Sequence, residues 1–490
     1  MSKPRFKRQL GLLQATMMGV GGAICAGVFV TLGYAASLAG TALIVAVVLC
    51  GVINFLTMLS YAELGAALPS AGGEYTFAKA ALGGFLSFTT GWFEWISNMF
   101  YAAFSAVGFA YLLSYIFPAI NIPLMAVLVI AAFTLINVKG VKETGTVQTG
   151  LVMVLLGLLV LFVVWGFMAS PTADIGLSAP QGPLGVLRAS AFIFVVYLGG
   201  EAIAVAQAEI KEPGKTIPRA ILLTCLILIV VYTLVTAVVL RVVTPEALSD
   251  KVSPLAYVAQ QFMGNIGVAV ITSAGVIAAL SSVNTSIMAQ SRVAYALARD
   301  GYFPKILHRL HNSFCTPHVA ILIGSIFVAA VAAMGVVNFV TYATDFGFII
   351  GFILVNLSLI RLRQNKPSIV RPFKVPLYPL TPLLGIATSL LLLSFLEPAT
   401  LVMGIELFLF GLLAYYVRMV GRKRLCLALS GMNFGFGILS AMIAYGIATQ
   451  SIEAELWTSV FAGVASLACF GAGILCAFKH SYGDDEFAGR

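Results

Sequence analysis

The sequence predicts an all-α polytopic membrane protein, and three observations support this fold class. Of the 490 residues, 60% are hydrophobic and only 10% are charged, whereas an ordinary soluble domain is roughly 45–50% apolar. Runs such as Leu151–Phe167, Leu222–Leu240 and Leu401–Tyr416 are almost uncharged and approach the roughly 20 residues of a membrane-spanning helix. These runs are continuous and do not alternate, so they do not fit the strands of a transmembrane barrel.

The apolar runs, counted in order from Leu10, predict about fourteen transmembrane helices, each long enough to satisfy its own backbone hydrogen bonds in lipid. The first seven predicted spans are Leu10–Tyr34, Thr41–Leu68, Phe85–Phe117, Ile122–Val138, Gly145–Met168, Ala189–Ile210 and Ile217–Leu240. The remaining seven are Ile266–Leu297, Val319–Val336, Val340–Leu362, Leu377–Leu396, Leu401–Val420, Leu425–Ala448 and Trp457–Phe478. The polar, proline-containing connection between the seventh and eighth spans predicts short helices lying over the membrane face.

The placement of positive charge predicts the orientation. With the N-terminus inside, every Lys and Arg except Arg188, Arg241 and Lys251 falls on the cytoplasmic side or at its boundary. We therefore expect an integral protein of the plasma membrane with both termini in the cytoplasm. The same spread of charge over many short loops argues against a nucleic-acid partner, although the sequence pI is near 9.2. Glu63, near the cytoplasmic end of the second span, is expected to pair with loop cations.

Two of the predicted spans are interrupted, and they stand five spans apart. The first has four glycines around residues 23–26, and the sixth contains Leu198-Gly-Gly-Glu201. Glycines often let membrane helices pack closely, which is the competing interpretation. Interrupted spans at corresponding positions in two halves instead indicate an inverted five-plus-five repeat with a binding site at the bilayer midplane. The pairing of the two interruptions favours this second interpretation.

An interrupted helix presents the backbone groups that bind a zwitterion. The N–H groups of residues 26–28 can hold a carboxylate, aided by the helix dipole, and the carbonyls of residues 22–23 and 196–197 can accept an ammonium group. The predicted substrate-binding residues are Gly22, Ala23, Ile24, Cys25, Ala26, Gly27, Val28, Asn98, Tyr101, Val196, Tyr197, Leu198, Gly199, Gly200 and Glu201.

Glu201 lies beside the interruption of the sixth span, where a carboxylate is costly and is by default a functional hypothesis. Three interpretations remain open at this point. The carboxylate can bind a cationic group of the substrate, take up a coupling proton, or accept N–H bonds from the unwound backbone.

Other polar residues in the spans predict a lined cavity and an ion site. Glu94, Asn98 and Tyr101 share one helical face of the third span. Ser281 and Ser282 of the eighth span have the hydroxyl oxygens that suit a hard cation such as sodium. Hydrogen bonding between helices explains both sets nearly as well.

The chain resembles the amino acid-polyamine-organocation transporters through several motifs in a common order. These motifs are Gly19–Phe29, Tyr61–Tyr75, Glu209–Pro218, Arg292–Pro304 and Arg371–Pro376. The resemblance implies an inverted-repeat fold, a substrate site between spans one, three, six, eight and ten, and transport of amino acids by alternating access. A polyamine or cationic amino-acid carrier is the alternative, favoured by Glu201. The expected partners are a small amino acid or amine, membrane lipid and a coupling proton or sodium ion.

The predicted organisation follows from the spans and the resemblance. Its parts are a cytoplasmic tail (1–9), the inverted-repeat transport core (10–362), a basic loop with spans eleven and twelve (363–420), two peripheral spans (421–478) and a second cytoplasmic tail (479–490).

The chain also departs from the family pattern. Cys25 stands where the family usually has glycine, and Leu155 aligns with a lysine that many members carry midway along the fifth span. No cofactor or metal is predicted. Gly214-Lys-Thr216 lacks the glycine and N–H donors of a phosphate loop, and the histidines between His308 and His318 fit a family loop.

Overall fold

The computed structural model describes residues 6–114, 117, 119–170, 176, 178–248, 251, 253–334, 337–396, 398–419, 436–437, 439–445, 447 and 456–481. Over these residues the chain is helical and forms no strands. A single isolated bridge joins Leu10 to Ile210.

The helices follow the predicted spans closely. Those of the first part are α1 (Leu12–Ala23), α2 (Gly27–Ala39), α3 (Leu43–Ala67), α4 (Gly73–Ala81), α5 (Gly84–Ser114), α6 (Ile122–Lys139), α7 (Val141–Met168), α8 (Gly182–Ile193) and α9 (Ala202–Val205). Those of the second part are α10 (Pro213–Val242), α11 (Pro245–Leu248), α12 (Pro254–Arg299), α13 (His318–Ala333), α14 (Val337–Asn365), α15 (Leu380–Ser394), α16 (Pro398–Met419) and α17 (Leu456–Ser481). Short 3-10 helices cover Gly40–Ala42, Phe194–Tyr197, Gln207–Glu209 and Lys305–His308.

Within the described residues, nine helical segments are long and apolar enough to cross a membrane, and three shorter apolar helices accompany them. The predicted thirteenth span, Leu425–Ala448, lies mostly outside the described residues, as do residues 420–424 of the basic cluster and most of both tails. The polytopic helical fold is therefore confirmed, while the count of fourteen spans stays a prediction.

Both predicted interruptions are present. The first span is divided into α1 and α2, because the chain leaves helical geometry at Ile24, whose backbone is extended. In the sixth span, α8 passes into the 3-10 helix Phe194–Tyr197, and an extended Leu198 and a left-handed Gly199 follow before α9 begins.

The two interruptions are in backbone contact with each other. A Cβ atom added to Gly22 would lie 2.5 Å from the carbonyl oxygen of Gly199, and one added to Gly199 would overlap the backbone of Gly22. Gly199 also has a φ of +110°, a backbone conformation that residues other than glycine rarely adopt. Glycine at these two positions therefore lets the broken spans meet at the centre of the bundle.

One face of the molecule, which we call the N-terminal face, carries the bridge between Leu10 and Ile210. The N–H groups of Gln9 and Leu10 donate to the Glu209 carbonyl at 2.8 and 3.0 Å, and the Lys211 N–H donates to the Leu10 carbonyl at 2.9 Å. The start of the first span and the end of the sixth therefore lie on the same side.

Glu63 organises a second cluster at the end of α3. Its carboxylate accepts hydrogen bonds from the Arg363 guanidinium and the Val375 N–H, and the Arg371 Nε lies 3.4 Å away. The predicted pairing of Glu63 with loop cations is confirmed.

The predicted short helices between the seventh and eighth spans are present too, as α11 and as the part of α12 before the break at Gly264.

Candidate substrate site

The start of α2 presents backbone donors, as predicted. Gly27 is its first helical residue, and the Gly27 N–H donates to the Sγ atom of Cys25 at 3.2 Å. The N–H groups of Ala26 and Val28 have no acceptor among the described residues. Unsatisfied N–H groups at the start of a helix are suited to an anion such as a carboxylate.

The carbonyls on the other side of the break are held by tyrosine hydroxyls. The Tyr101 hydroxyl, from α5, donates to the Gly22 carbonyl at 3.0 Å. The Tyr232 hydroxyl, from α10, donates to the Val196 carbonyl at 2.7 Å and lies 3.4 Å from the Ala23 carbonyl. Each carbonyl oxygen has a second lone pair and can also accept a bond from an ammonium group.

Tyr232 is absent from the predicted site, yet its hydroxyl contacts the interrupted parts of both the first and the sixth span. The sequence gives only a weak indication of this role, namely that Tyr232 is one of few polar side chains within the apolar run Leu222–Leu240. Its role depends on α10 packing beside α1, which the sequence pattern does not reveal.

The residues expected on one face of the third span separate in the structure. Tyr101 reaches the break in the first span, whereas the Asn98 side chain donates to the Glu94 carbonyl within its own helix. The Glu94 carboxylate accepts the N–H groups of Glu74 and Tyr75 at the start of α4. Side chains of one helical face of α5 therefore bond to two different parts of the molecule, the start of α4 and the break in the first span.

The residues of the sixth-span interruption are all buried, but their side chains differ in direction. The Tyr197 hydroxyl donates to the Val47 carbonyl at 2.9 Å, so this side chain points towards α3. The Gly199 N–H donates to both carboxylate oxygens of Glu201, at 2.9 and 2.8 Å. Of the three interpretations of Glu201, the third, an acceptor for the unwound backbone, describes this geometry.

Ser281 belongs to a neutral network beside the first break. Its hydroxyl donates to the Gly21 carbonyl at 2.9 Å and accepts from the Gln148 side-chain amide at 2.7 Å. The Gln148 side-chain oxygen accepts from Asn284, which itself accepts from Asn137. This chain of bonds contains no charged group, and at its end the Asn137 side-chain oxygen is buried without a hydrogen-bond partner among the described residues.

Ser282 lies outside this network. Its hydroxyl bonds with that of Ser105 in α5, at 2.8 Å, and with carbonyls of its own helix. The two serines expected to bind one ion therefore have different partners.

The fifth-span side chains nearest Gly21 are Gln148 and Val152, and neither was predicted from the sequence as a site residue.

The residues around the two breaks are closed off from solvent. Ile24, Cys25 and Leu198 have no exposed surface, and Tyr101 and Glu201 are 1% and 2% exposed. A substrate can therefore reach these backbone groups only after surrounding helices move.

Residues 10–418 match the family model for amino acid permeases, and the chain belongs to the amino acid permease family. The predicted resemblance to the amino acid-polyamine-organocation transporters is thereby confirmed. The protein is an integral membrane transporter and not an enzyme.

The chain is similar to several bacterial transporters along most of its length. It is 30% identical to an uncharacterized transporter of Mycobacterium tuberculosis over 422 residues, covering 85% of this chain and 93% of that one. It is 27% identical to a branched-chain amino acid permease of Bacillus subtilis and 27% identical to a methylthioribose transporter of the same organism. Each of these two alignments covers 84% of this chain and 93% of the relative.

Proposed function

We propose that this chain is a secondary active transporter that moves amino acids across the plasma membrane by alternating access. The observation that carries the proposal is the contact between two broken spans, one of which presents unsatisfied N–H groups while both present carbonyls. These groups complement the two charges that all free α-amino acids share. Membership of the amino acid permease family supports the same substrate class.

In the proposed complex the substrate carboxylate binds the N–H groups of Ala26, Gly27 and Val28, at the positive end of α2. The ammonium group binds carbonyls of Gly22 and Val196. Binding at Gly27 requires displacement of the Cys25 thiol, which now accepts that N–H. The thiol therefore occupies the place of a substrate oxygen in the closed conformation.

The surroundings of the site favour a neutral side chain. Ile24 and Leu198 are buried at the two breaks, and the ring centroid of Phe348 lies 6.2 Å from that of Tyr101. A branched-chain amino acid permease among the relatives supports an aliphatic substrate. A polyamine or a cationic amino acid is the second candidate because Glu201 is a buried acid beside the sixth-span break. Both oxygens of Glu201 already accept the Gly199 N–H, which makes a cationic substrate the weaker candidate.

Alternating access requires that the closed arrangement can open on either side. Tyr101 and Tyr232 join the breaks to α5 and α10, so a relative motion of these helices would release carbonyls for the substrate. The Gln148 and Ser281 side chains are neutral and already hydrogen-bonded, which argues against sodium as an obligatory partner beside Gly21. We therefore expect transport to proceed without a sodium gradient.

The test is exchange and uptake of radiolabelled L-leucine by the purified protein in proteoliposomes, with pH and sodium gradients imposed separately. L-Leucine exchange should be saturable, stereospecific and independent of sodium, and L-arginine and putrescine should compete weakly. Tyr232→Phe should slow exchange by about two- to tenfold, because one hydroxyl bond to the breaks is lost. Tyr111→Phe is the control, since Tyr111 lies on α5 with 45% of its surface exposed.

Failure of a panel of amino acids and diamines to give any saturable exchange would contradict the proposed function. Saturable exchange of diamines without competition by L-leucine would support the second candidate instead.

A further inference from the structure

Three buried carboxyl groups interact between the sixth-span break and the N-terminal face: Glu74 of α4, Glu94 of α5 and Glu201 of the break. The segment before α4 reaches this face, because the Gln207 side-chain amide donates to the Ser70 carbonyl at 2.5 Å. They are 1%, 1% and 2% exposed, and both Glu94 and Glu201 interact electrostatically with Glu74. The ion pairs formed by the described residues include none of the three. Three ionised carboxylates in this arrangement would repel one another in a medium of low dielectric constant.

The three groups differ in the donors that they receive. Both oxygens of Glu94 accept backbone N–H groups, from Glu74 and Tyr75, at 3.1 Å each. Both oxygens of Glu201 accept the Gly199 N–H. Among the residues that the structure describes, Glu74 accepts a hydrogen bond from the Tyr61 hydroxyl alone, at 2.5 Å on Oε1, and its Oε2 is buried without a partner.

This difference in donors identifies the carboxyl group whose buried position is stabilised most by a bound proton. Hydrogen bonds from N–H groups stabilise a carboxylate, whereas a buried charge without donors carries a large desolvation cost. Among the three, Glu74 is the one whose carboxyl receives no N–H group and has an oxygen without a partner, and it has two acidic neighbours. The neutral form of Glu74 is therefore the one that this closed arrangement accommodates.

We propose that Glu74 is a proton-binding site, protonated while the N-terminal face is closed and deprotonated when that face opens. The inference rests on the proposed transport function, because it assigns the proton to one conformation of the transport cycle. In the step itself, the O–H bond on Oε2 breaks and the proton passes to water as the site hydrates. The same bond forms again when the face closes.

The position of α4 explains why opening would hydrate Glu74. Oε2 lies against the backbone of Gly351 in α14, where a Cβ atom would overlap it. The α4 helix begins at Gly73, directly after Gly72. Both glycines have positive φ and so form a backbone junction that only glycine adopts readily. Separation of α4 from α14 would bring water to Oε2.

The titratable groups around Glu74 come from several neighbouring elements, whereas α14 contributes the backbone of Gly351. Tyr61 approaches from α3 and Glu94 from α5, while Glu201 acts from the sixth-span break. On α4 itself, Tyr75 and Lys79 both bind Asp300 at the end of α12. Glu74 therefore faces two acids and a phenol, and the basic residue of its helix is engaged elsewhere.

The experiment is the rate of L-leucine exchange in proteoliposomes as a function of pH on the side of the N-terminal face, with pH on the other side constant. For the wild-type protein the rate should rise with pH, by up to about tenfold per unit, the slope of one titrating proton. Glu74→Gln, which is permanently neutral, should exchange slowly and show no pH response. Glu143→Gln, at an exposed position beside Gly140, should keep the wild-type profile.

A wild-type rate that does not respond to pH on this side, or a Glu74→Gln protein that keeps the wild-type response, would overturn the assignment. A second measurement covers the case in which Glu74→Gln fails to fold. The infrared spectrum of the purified wild-type protein at neutral pH should contain a carboxylic-acid carbonyl band that shifts in Glu74→Asp. Absence of that shifting band would overturn the proton site even if no exchange of any amino acid is observed.

Discussion

At the scale of single residues, Cys25 is the clearest departure from the family pattern, since glycine is usual at this position. Its sulfur accepts the Gly27 N–H, and its side chain also contacts Tyr101. The thiol thus satisfies a donor that the proposed substrate carboxylate would use. Sulfur is a weak acceptor, so a carboxylate can replace it at small cost.

Cys25→Ala should strengthen substrate binding, because Gly27 would then lack an internal acceptor. We expect the apparent affinity for L-leucine to rise about two- to fivefold, since a weak hydrogen bond is worth about 1 kcal/mol or less. The measurement is competition binding to purified protein. Cys225→Ala is the control, because Cys225 is also buried but lies on α10.

The same residue offers a labelling test. In a variant retaining only Cys25, a small membrane-permeant thiol reagent should label the protein when the site opens, and saturating L-leucine should protect it. Labelling that L-leucine leaves unchanged would remove Cys25 from the site.

At the scale of elements, α4 is attached to the end of α12 through Asp300. The Asp300 carboxylate accepts the Tyr75 hydroxyl at 2.8 Å, and it lies 2.7 Å from the Lys79 Nζ and 3.1 Å from an Arg299 nitrogen. Partial burial acts to raise the pKa of Asp300, but the hydrogen bonds from Arg299, Lys79 and Tyr75 outweigh it and lower that pKa overall. The ionised form of Asp300 therefore stabilises the docking of α4.

Asp300→Asn should lower the free energy of unfolding of the purified protein at neutral pH by about 1–3 kcal/mol, because the substitution weakens a charge-assisted cluster. Because the folded pKa is lowered, the contribution is present above about pH 4, the ordinary range of an unfolded aspartate. It is lost as the pH falls through the folded value.

The difference between wild type and Asp300→Asn should consequently shrink in acid, as followed by thermal unfolding at several pH values. Glu143→Gln again serves as the exposed control. A difference that stays constant from neutral to acidic pH would show that the carboxylate charge is not what holds α4.

At the scale of the whole molecule, the N-terminal face gathers chain segments that are far apart in sequence. It carries the bridge between Leu10 and Ile210 and the buried pair of Glu209 and Arg292, whose nearest atoms are 3.2 Å apart. Positive charge is expected to concentrate on the cytoplasmic side of a membrane protein. Nearly all Lys and Arg residues are predicted on the side of the N-terminus, so we expect the N-terminal face to be cytoplasmic.

Cysteine-accessibility labelling checks this orientation. In a cysteine-free background, Lys374→Cys should be inaccessible to an impermeant reagent added to intact cells, whereas Lys251→Cys should be labelled. Both positions are exposed in the structure, so burial does not explain a difference. Labelling of residue 374 from outside would invert the predicted topology and place both termini outside the cell.

The sequence by itself determined the class of the protein, most helix bounds and the two interruptions. These features are local: an apolar run of sufficient length forms a helix in lipid, and glycines at Gly22 and Gly199 permit irregular backbone. The pairing of Glu63 with loop cations was predictable as well, because it needed only opposite charges on one side of the membrane.

The tertiary structure alone decided which side chains meet. Glu94 and Tyr101 share a helical face, yet one caps α4 and the other reaches the first break. Tyr232 and Gln148 contact the breaks, and Glu74 is left with an unpaired oxygen, only because of how separate helices are rotated against each other. Periodicity gives the face of a helix but not the partner opposite it, since that partner is often more than a hundred residues away in the chain.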